Sequence, residues 1–133
     1  MKKKLSIVVA MVLAAVLSIT SALAVVYESN GEIVLPGGSI FAHNEIYNNK
    51  KDAFARTNGP ANNYISVSVT FYSMNTFTGA TSSYTLSAST SSASSVRKDA
   101  TPLGSDYNYF KVKSVHAGTI LDDSGSITLN TTS

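Results

Sequence analysis

The chain has 133 residues, with ten Lys and Arg, eight Asp and Glu, and no cysteine. The missing cysteines exclude disulfides, thiol catalysis, cysteine zinc sites and a lipid anchor on cysteine. Three of the ten basic residues, Lys2, Lys3 and Lys4, sit in an N-terminal leader; without them seven basic residues face eight acidic ones, a net charge of −1 that gives no field suited to nucleic acid.

That leader is the first predicted element. Residues 1–24, "MKKKLSIVVAMVLAAVLSITSALA", combine a basic start, an apolar run from Leu5 to Ile19 and small residues at Ala22 and Ala24. This is the layout of a secretory signal peptide cleaved after Ala24, with an apolar run too short to span a membrane stably. The expected mature protein is residues 25–133, secreted and of a size that suits one domain with a core of its own. Contact with membrane is expected only through the leader before cleavage.

Two short apolar runs follow, Ile33–Leu35 and Ile40–Ala42, split by Pro36-Gly37-Gly38. "NEIYNNKKDAFA" (residues 44–55) is the best candidate for a helix, but Ile46, Tyr47 and Phe54 close no apolar stripe. "NNKKD" reads as a polar turn, "AFART" as a strand and "NGPANN" as a loop.

The clearest element is "NYISVSVTFYSM". Ile65, Val67, Val69 and Phe71 alternate with Tyr64, Ser66, Ser68, Thr70 and Tyr72. Side chains change face at every step of a strand, so this is a half-buried strand of β-branched and aromatic residues. Asn75–Gly79 predicts a hairpin loop, and "SSYTLSAS" predicts the returning strand, with Tyr84, Leu86 and Ala88 inward and Ser83, Thr85, Ser87 and Ser89 outward. Eleven of the fifteen residues from Thr81 to Ser95 are Ser or Thr, yet the alternation makes the first part strand rather than linker. Thr90–Ser95 reads as an edge strand or an ordered loop. "RKDATPLGSD" carries breaking signals. "YNYFKVKSV" resumes as a strand, with Phe110, Val112 and His116 expected on one face and Tyr109, Lys111 and Lys113 on the other. Asp123-Ser124-Gly125 reads as a turn, and "SITLNTTS" as a last strand with Ile127 and Leu129 inward.

These elements predict an all-β fold: a single antiparallel β-sandwich of six to eight strands, Greek-key or meander-like. The last strand has no lysine or proline to blunt it as an edge, so it pairs inside the domain or with a second copy.

Chemistry is sparse. His43 and His116 lie in no H-x-H or H-E-x-x-H pattern, so no metal is expected, and His116 reads as a structural residue. Asp122-Asp123 lacks the alternating acids of a calcium loop and is explained by a turn. Among 30 Ser and Thr of residues 25–133 there is no G-x-S-x-G elbow and no S-x-x-K. "LPGGS" at 35–39 lacks the apolar anchor and basic tail of a sorting signal, and Asn130-Thr131-Thr132 is a glycosylation sequon only in a glycosylating host. No catalytic residue and no cofactor is expected. The candidate binding residues are Tyr64, Tyr72 and Tyr109, expected as a ladder of exposed rings beside Ser and Thr, with Lys111 and Lys113.

The resulting expectation is a small secreted, non-enzymatic bacterial surface or matrix module. It would adhere to a cell-envelope, glycan or protein partner through a Tyr/Ser/Thr-rich sheet face, and self-assemble into a homo-oligomer by strand addition through Val25–Tyr27 or Ile127–Thr131. The alternative is a secreted bacteriocin- or toxin-like protein. In format, a leader followed by a short cysteine-free β domain, the chain is similar to bacteriocins of the lactococcin 972 type, although it is longer, lacks tryptophan and shares no motif with them.

Overall fold

The structure, a computed structural model, describes residues 26–133. The leader at 1–24 and Val25 lie outside the described residues. Eight strands form: β1 (Tyr27–Leu35), β2 (Gly38–Ile46), β3 (Ala53–Asn58), β4 (Tyr64–Asn75), β5 (Thr81–Thr90), β6 (Ser95–Asp99), β7 (Tyr107–Ile120) and β8 (Asp123–Thr132). They make two antiparallel sheets of four, sheet I in the order β1-β2-β3-β6 and sheet II in the order β5-β4-β7-β8. The all-β expectation holds, and no helix occurs among the described residues.

The sheets face each other with β1 over β8, β2 over β7, β3 over β4 and β6 over β5. The inward residues of β4 (Ile65, Val67, Val69, Phe71) meet Ile40, Ile46, Ala53 and Ala55 of sheet I, all buried. At about 25 cal/mol per Å² of apolar area removed from water, such burial is the main term available to a chain without disulfides. Close approach demands glycine at Gly118: a Cβ there would collide with Ile40 and sit 2.8 Å from the carbonyl oxygen of Tyr64.

The turn expected at "NNKKD" and the strand expected at "AFART" are present, so residues 44–55 hold the end of β2, a turn and the start of β3: Lys50 donates to the Tyr47 carbonyl at 2.8 Å with φ 56°, and Tyr47 N–H donates to Asp52 O. Other local expectations are corrected. "RKD" is not a breaker but most of β6, with Val96 half-buried against the core. Of Thr90–Ser95, residues 91–94 are loop; the Thr90 hydroxyl caps the chain by accepting from the Ser92 and Ala93 amides. The last hairpin turns at Leu121-Asp122, both at positive φ (50° and 67°), so Asp123-Ser124-Gly125 is strand, not turn. A two-residue hairpin needs that left-handed pair to match strand twist.

The largest correction concerns β7. Its pairing with β4 slips between Tyr72 and Ser73: Tyr72 faces Lys111 while Ser73 faces Tyr109, leaving Phe110 as the extra residue of a bulge. A bulge shifts the alternation by one. Tyr109 is thereby turned into the core at 0% exposure, and Phe110 moves to the outer side beside Tyr72.

Candidate functional site

Outward side chains of sheet II fall into four cross-strand rows, read from β5 through β4 and β7 to β8. They are Ser89–Ser66–Ala117–Ser126, Ser87–Ser68–Val115–Thr128, Thr85–Thr70–Lys113–Asn130 and Ser83–Tyr72–Lys111–Thr132. Ten of these sixteen positions are Ser or Thr and none is acidic. The hydroxyls bond laterally, Ser87 to Ser68 at 2.9 Å and Thr70 to Thr85 at 2.8 Å. Short side chains at strand spacing, about 4.8 Å across and about 6.7 Å along, make this a low-relief surface. A shallow depression of about 380 Å³ lies over Tyr64, Ser66, Ser68, Val115 and Ala117.

The far end of the face is aromatic and basic. Tyr72 and Phe110 rings lie 6.2 Å apart, and the Lys111 ammonium sits 5.2 Å from the Tyr72 centroid. The adjoining β4–β5 loop is fixed by Asn75, whose Oδ1 accepts from the amides of Phe77 and Thr78. Phe77 is thereby held at 83% exposure, near exposed Met74 and Tyr107.

Of the five candidate binding residues, Tyr64, Tyr72, Lys111 and Lys113 lie on this face, and Tyr109 does not. Tyr64 and Tyr72 stand at opposite ends of β4, eight residues or about 27 Å apart, so no tyrosine ladder forms. Tyr109 instead closes a ring of three hydrogen bonds. It donates to Thr101 O at 2.6 Å and accepts from Tyr84, whose oxygen receives the Thr101 amide. Burial, then the Tyr84 contact, pushes the Tyr109 phenol well above its ordinary range. Phe110 takes its place outside; nothing in "YNYF" distinguishes the two rings.

Two further groups were not visible in the sequence. Between the β2–β3 turn and the segment after β6 lies a recess of about 500 Å³, lined by Tyr47, Asn48, Asp52, Arg97 and Asp99 among others. Arg97 stacks on Phe54 at 3.8 Å and bonds Asp99, which raises its pKa; Phe54 is covered although it points away from the core. The Lys51 ammonium ties the neighbouring loop by donating to the carbonyls of Gly104, Ser105 and Tyr107 and to Asn108 Oδ1, at 2.5–3.2 Å.

The second group is inside. Thr57 (β3) donates to Ser66 O at 2.9 Å and so accepts from His116 Nδ1 at 2.8 Å. Ser114 Oγ lies 2.6 Å from His116 Nε2 and 2.7 Å from Asn44 Oδ1. The one Thr57 proton goes to Ser66 O, so Nδ1 carries the proton of the neutral ring, while the one Ser114 proton serves Asn44 Oδ1 or Nε2. Burial, with the charge of His43 beyond, pushes His116 down to about 4. Ser114 and His116 have nucleophile–base spacing, but both are sealed between the sheets at 1% exposure or less. His43, on the outer side of sheet I, bonds Asn30 and Glu45 instead. Among the described residues no three His, Asp or Glu side chains converge as metal ligands, and Asp122 and Asp123 occupy the last hairpin. No family model matches the chain, and no curated protein matches it.

Proposed function

We propose that residues 25–133 form one secreted β-sandwich domain that acts by binding, without catalysis, through the outer face of sheet II. The observation that carries this reading is the set of four rows, rich in hydroxyls, free of acids and ending in Tyr72, Phe110, Lys111 and Lys113. Sugars offer hydroxyls at their edges and C–H groups on their faces; the first pair with Ser and Thr, the second stack on rings. The two lysines favour a polymer bearing carboxylate or phosphate. The ligand class is thus an anionic cell-envelope glycan, met over an extended flat contact. Self-assembly by strand addition belongs to the same reading, since a sheet with open edges both binds and extends.

The test is retention of the protein on insoluble cell-wall polysaccharide and on a glycan array. Wild type is expected to bind, and Tyr72→Ala with Phe110→Ala to weaken binding about ten-fold or more, each aromatic contact being worth about 1 kcal/mol. Raising salt should weaken it further. No retention on any glycan, or equal retention of a folded double variant, refutes the proposal.

A further inference from the structure

We infer that β5 pairs edge to edge with β5 of a second copy of this chain, antiparallel about a two-fold axis, to give one continuous eight-stranded sheet. The inference rests on the self-assembly part of the proposed function and moves it from the terminal strands to an internal one.

Backbone geometry gives the donors and acceptors. Asn75 N–H donates to Ala80 O at 2.8 Å, which makes Asn75/Ala80 a hydrogen-bonded pair of the β4–β5 ladder. In antiparallel pairs such sites alternate. Ser82, Tyr84, Leu86, Ala88 and Thr90 therefore bond β4, while Thr81, Ser83, Thr85, Ser87 and Ser89 aim N–H and C=O at the open edge. The same rule can be checked on β8. Ser133 N–H bonds Phe110 O, which predicts that Asn130 O points outward, and there it accepts from the Ser29 hydroxyl at 2.8 Å.

The four sheet edges are not equivalent. β6 is five residues long and carries Arg97, Lys98 and Asp99. β1 carries Glu28 and Glu32. β8 is engaged from β1 through Ser29, and Gly31 lies under Ile127 and Leu129. β5 has ten residues, no charge, no proline and an unbroken register with β4. Among the described residues none of the devices that blunt an edge is present. A second β5 fits because it is equally uncharged and matched in length, so no like charges oppose. Its outward hydroxyls can also pair as Ser87 and Thr85 already do with β4. A two-fold closes the assembly at a dimer.

The test uses the protein as its host cell produces it, at roughly 1 to 100 μM, the range in which a modest interface dissociates. Light-scattering mass is expected to rise about two-fold across the range. Exchange protection of the Thr81, Ser83, Thr85, Ser87 and Ser89 amides should rise with it. Two variants should hold the mass at the monomer value: Ser87→Pro, which removes an outward donor without touching the β4 ladder, and Thr85→Lys, which charges the edge. Ser126→Lys on β8 should leave dimerisation unchanged. A monomer at all concentrations, edge protection independent of concentration, or a dimer that survives in both folded β5 variants overturns the inference. A monomer that binds glycan removes the pairing alone; a dimer that binds none removes the recognition face alone.

Discussion

His116 makes stability depend on acid in a defined window. The unfolded chain exposes an imidazole with an ordinary value of 6.5, whereas the folded protein buries it in the neutral form and holds it near 4. The unfolded state therefore takes up the proton first, and the native state loses stability as pH falls. Stability from this group is complete above about 6.5, declines through the interval down to about 4, and falls no further below it. At about 1.4 kcal/mol per pH unit the whole interval is worth about 3 kcal/mol, a large share of the 5–15 kcal/mol usual for a domain. The perturbation is His116→Gln, which keeps an uncharged hydrogen-bonding side chain between Thr57 and Ser114 and cannot titrate. It should cost about 1–3 kcal/mol at pH 7.5, from lost packing and weakened bonds. Urea unfolding of both proteins at pH 7.5, 5.5 and 4.0 gives the assay, because the remaining acid-sensitive contacts of the fold are common to both. The wild-type advantage should shrink by about 3 kcal/mol towards pH 4. A difference that stays constant with pH would refute the assignment of a buried, neutral His116.

Three other perturbations test separate parts of the structure. Lys51→Met removes the ammonium that gathers four oxygens of residues 104–108; it should cost about 2 kcal/mol in urea unfolding and speed proteolysis in that loop. Gly118→Ala forces a methyl against Ile40 and the Tyr64 carbonyl and should cost about 2 kcal/mol or more, whereas Gly104→Ala, with open space around it, should change the melting temperature by little. Leu121→Asn relieves a bulky residue held at φ 50° with its side chain 75% exposed, and should raise stability by about 0.5–1 kcal/mol in thermal or urea unfolding.

Legibility followed the alternation of apolar residues. β4 and β5 were readable to the level of facing, since Ile65, Val67, Val69 and Phe71 and then Tyr84, Leu86 and Ala88 mark one side without interruption. β2 was half-read because its inward positions include polar Asn44, and its outward ones His43 and Glu45, so the period-two signal fades after Ala42. β6 was missed because an edge strand of five residues needs only Val96 to face the core; its charges are an edge's usual guard. The bulge at Phe110 is a relation between two strands, and no single-strand pattern encodes it. It removed Tyr109 from the predicted face and supplied Phe110. His116 faces inward with Val112 as its alternation implies, but its partners come from positions 44, 57 and 114, which only the folded topology brings together.

The same network bears on how the proposed recognition face is held. Asn44 on β2, Thr57 on β3, and Ser114 and His116 on β7 span both sheets, and each finds a partner across the interface or beside it. Apolar contacts tolerate sliding, because one methyl serves nearly as well as another at the same distance. Hydrogen bonds do not: displacing sheet I by one pleat would leave Thr57, Ser114 and His116 buried without partners, at about 1–3 kcal/mol each. Asn44 Nδ2 already has none, so the cluster carries a cost even when aligned. That cost is consistent with selection of one alignment of the sheets rather than with greater stability. Fixing β7 in this way also fixes its outward side, where Lys111, Lys113 and Val115 alternate with Val112, Ser114 and His116 along the same strand. A group buried between the sheets thus sets the register of the outward residues proposed to meet a ligand.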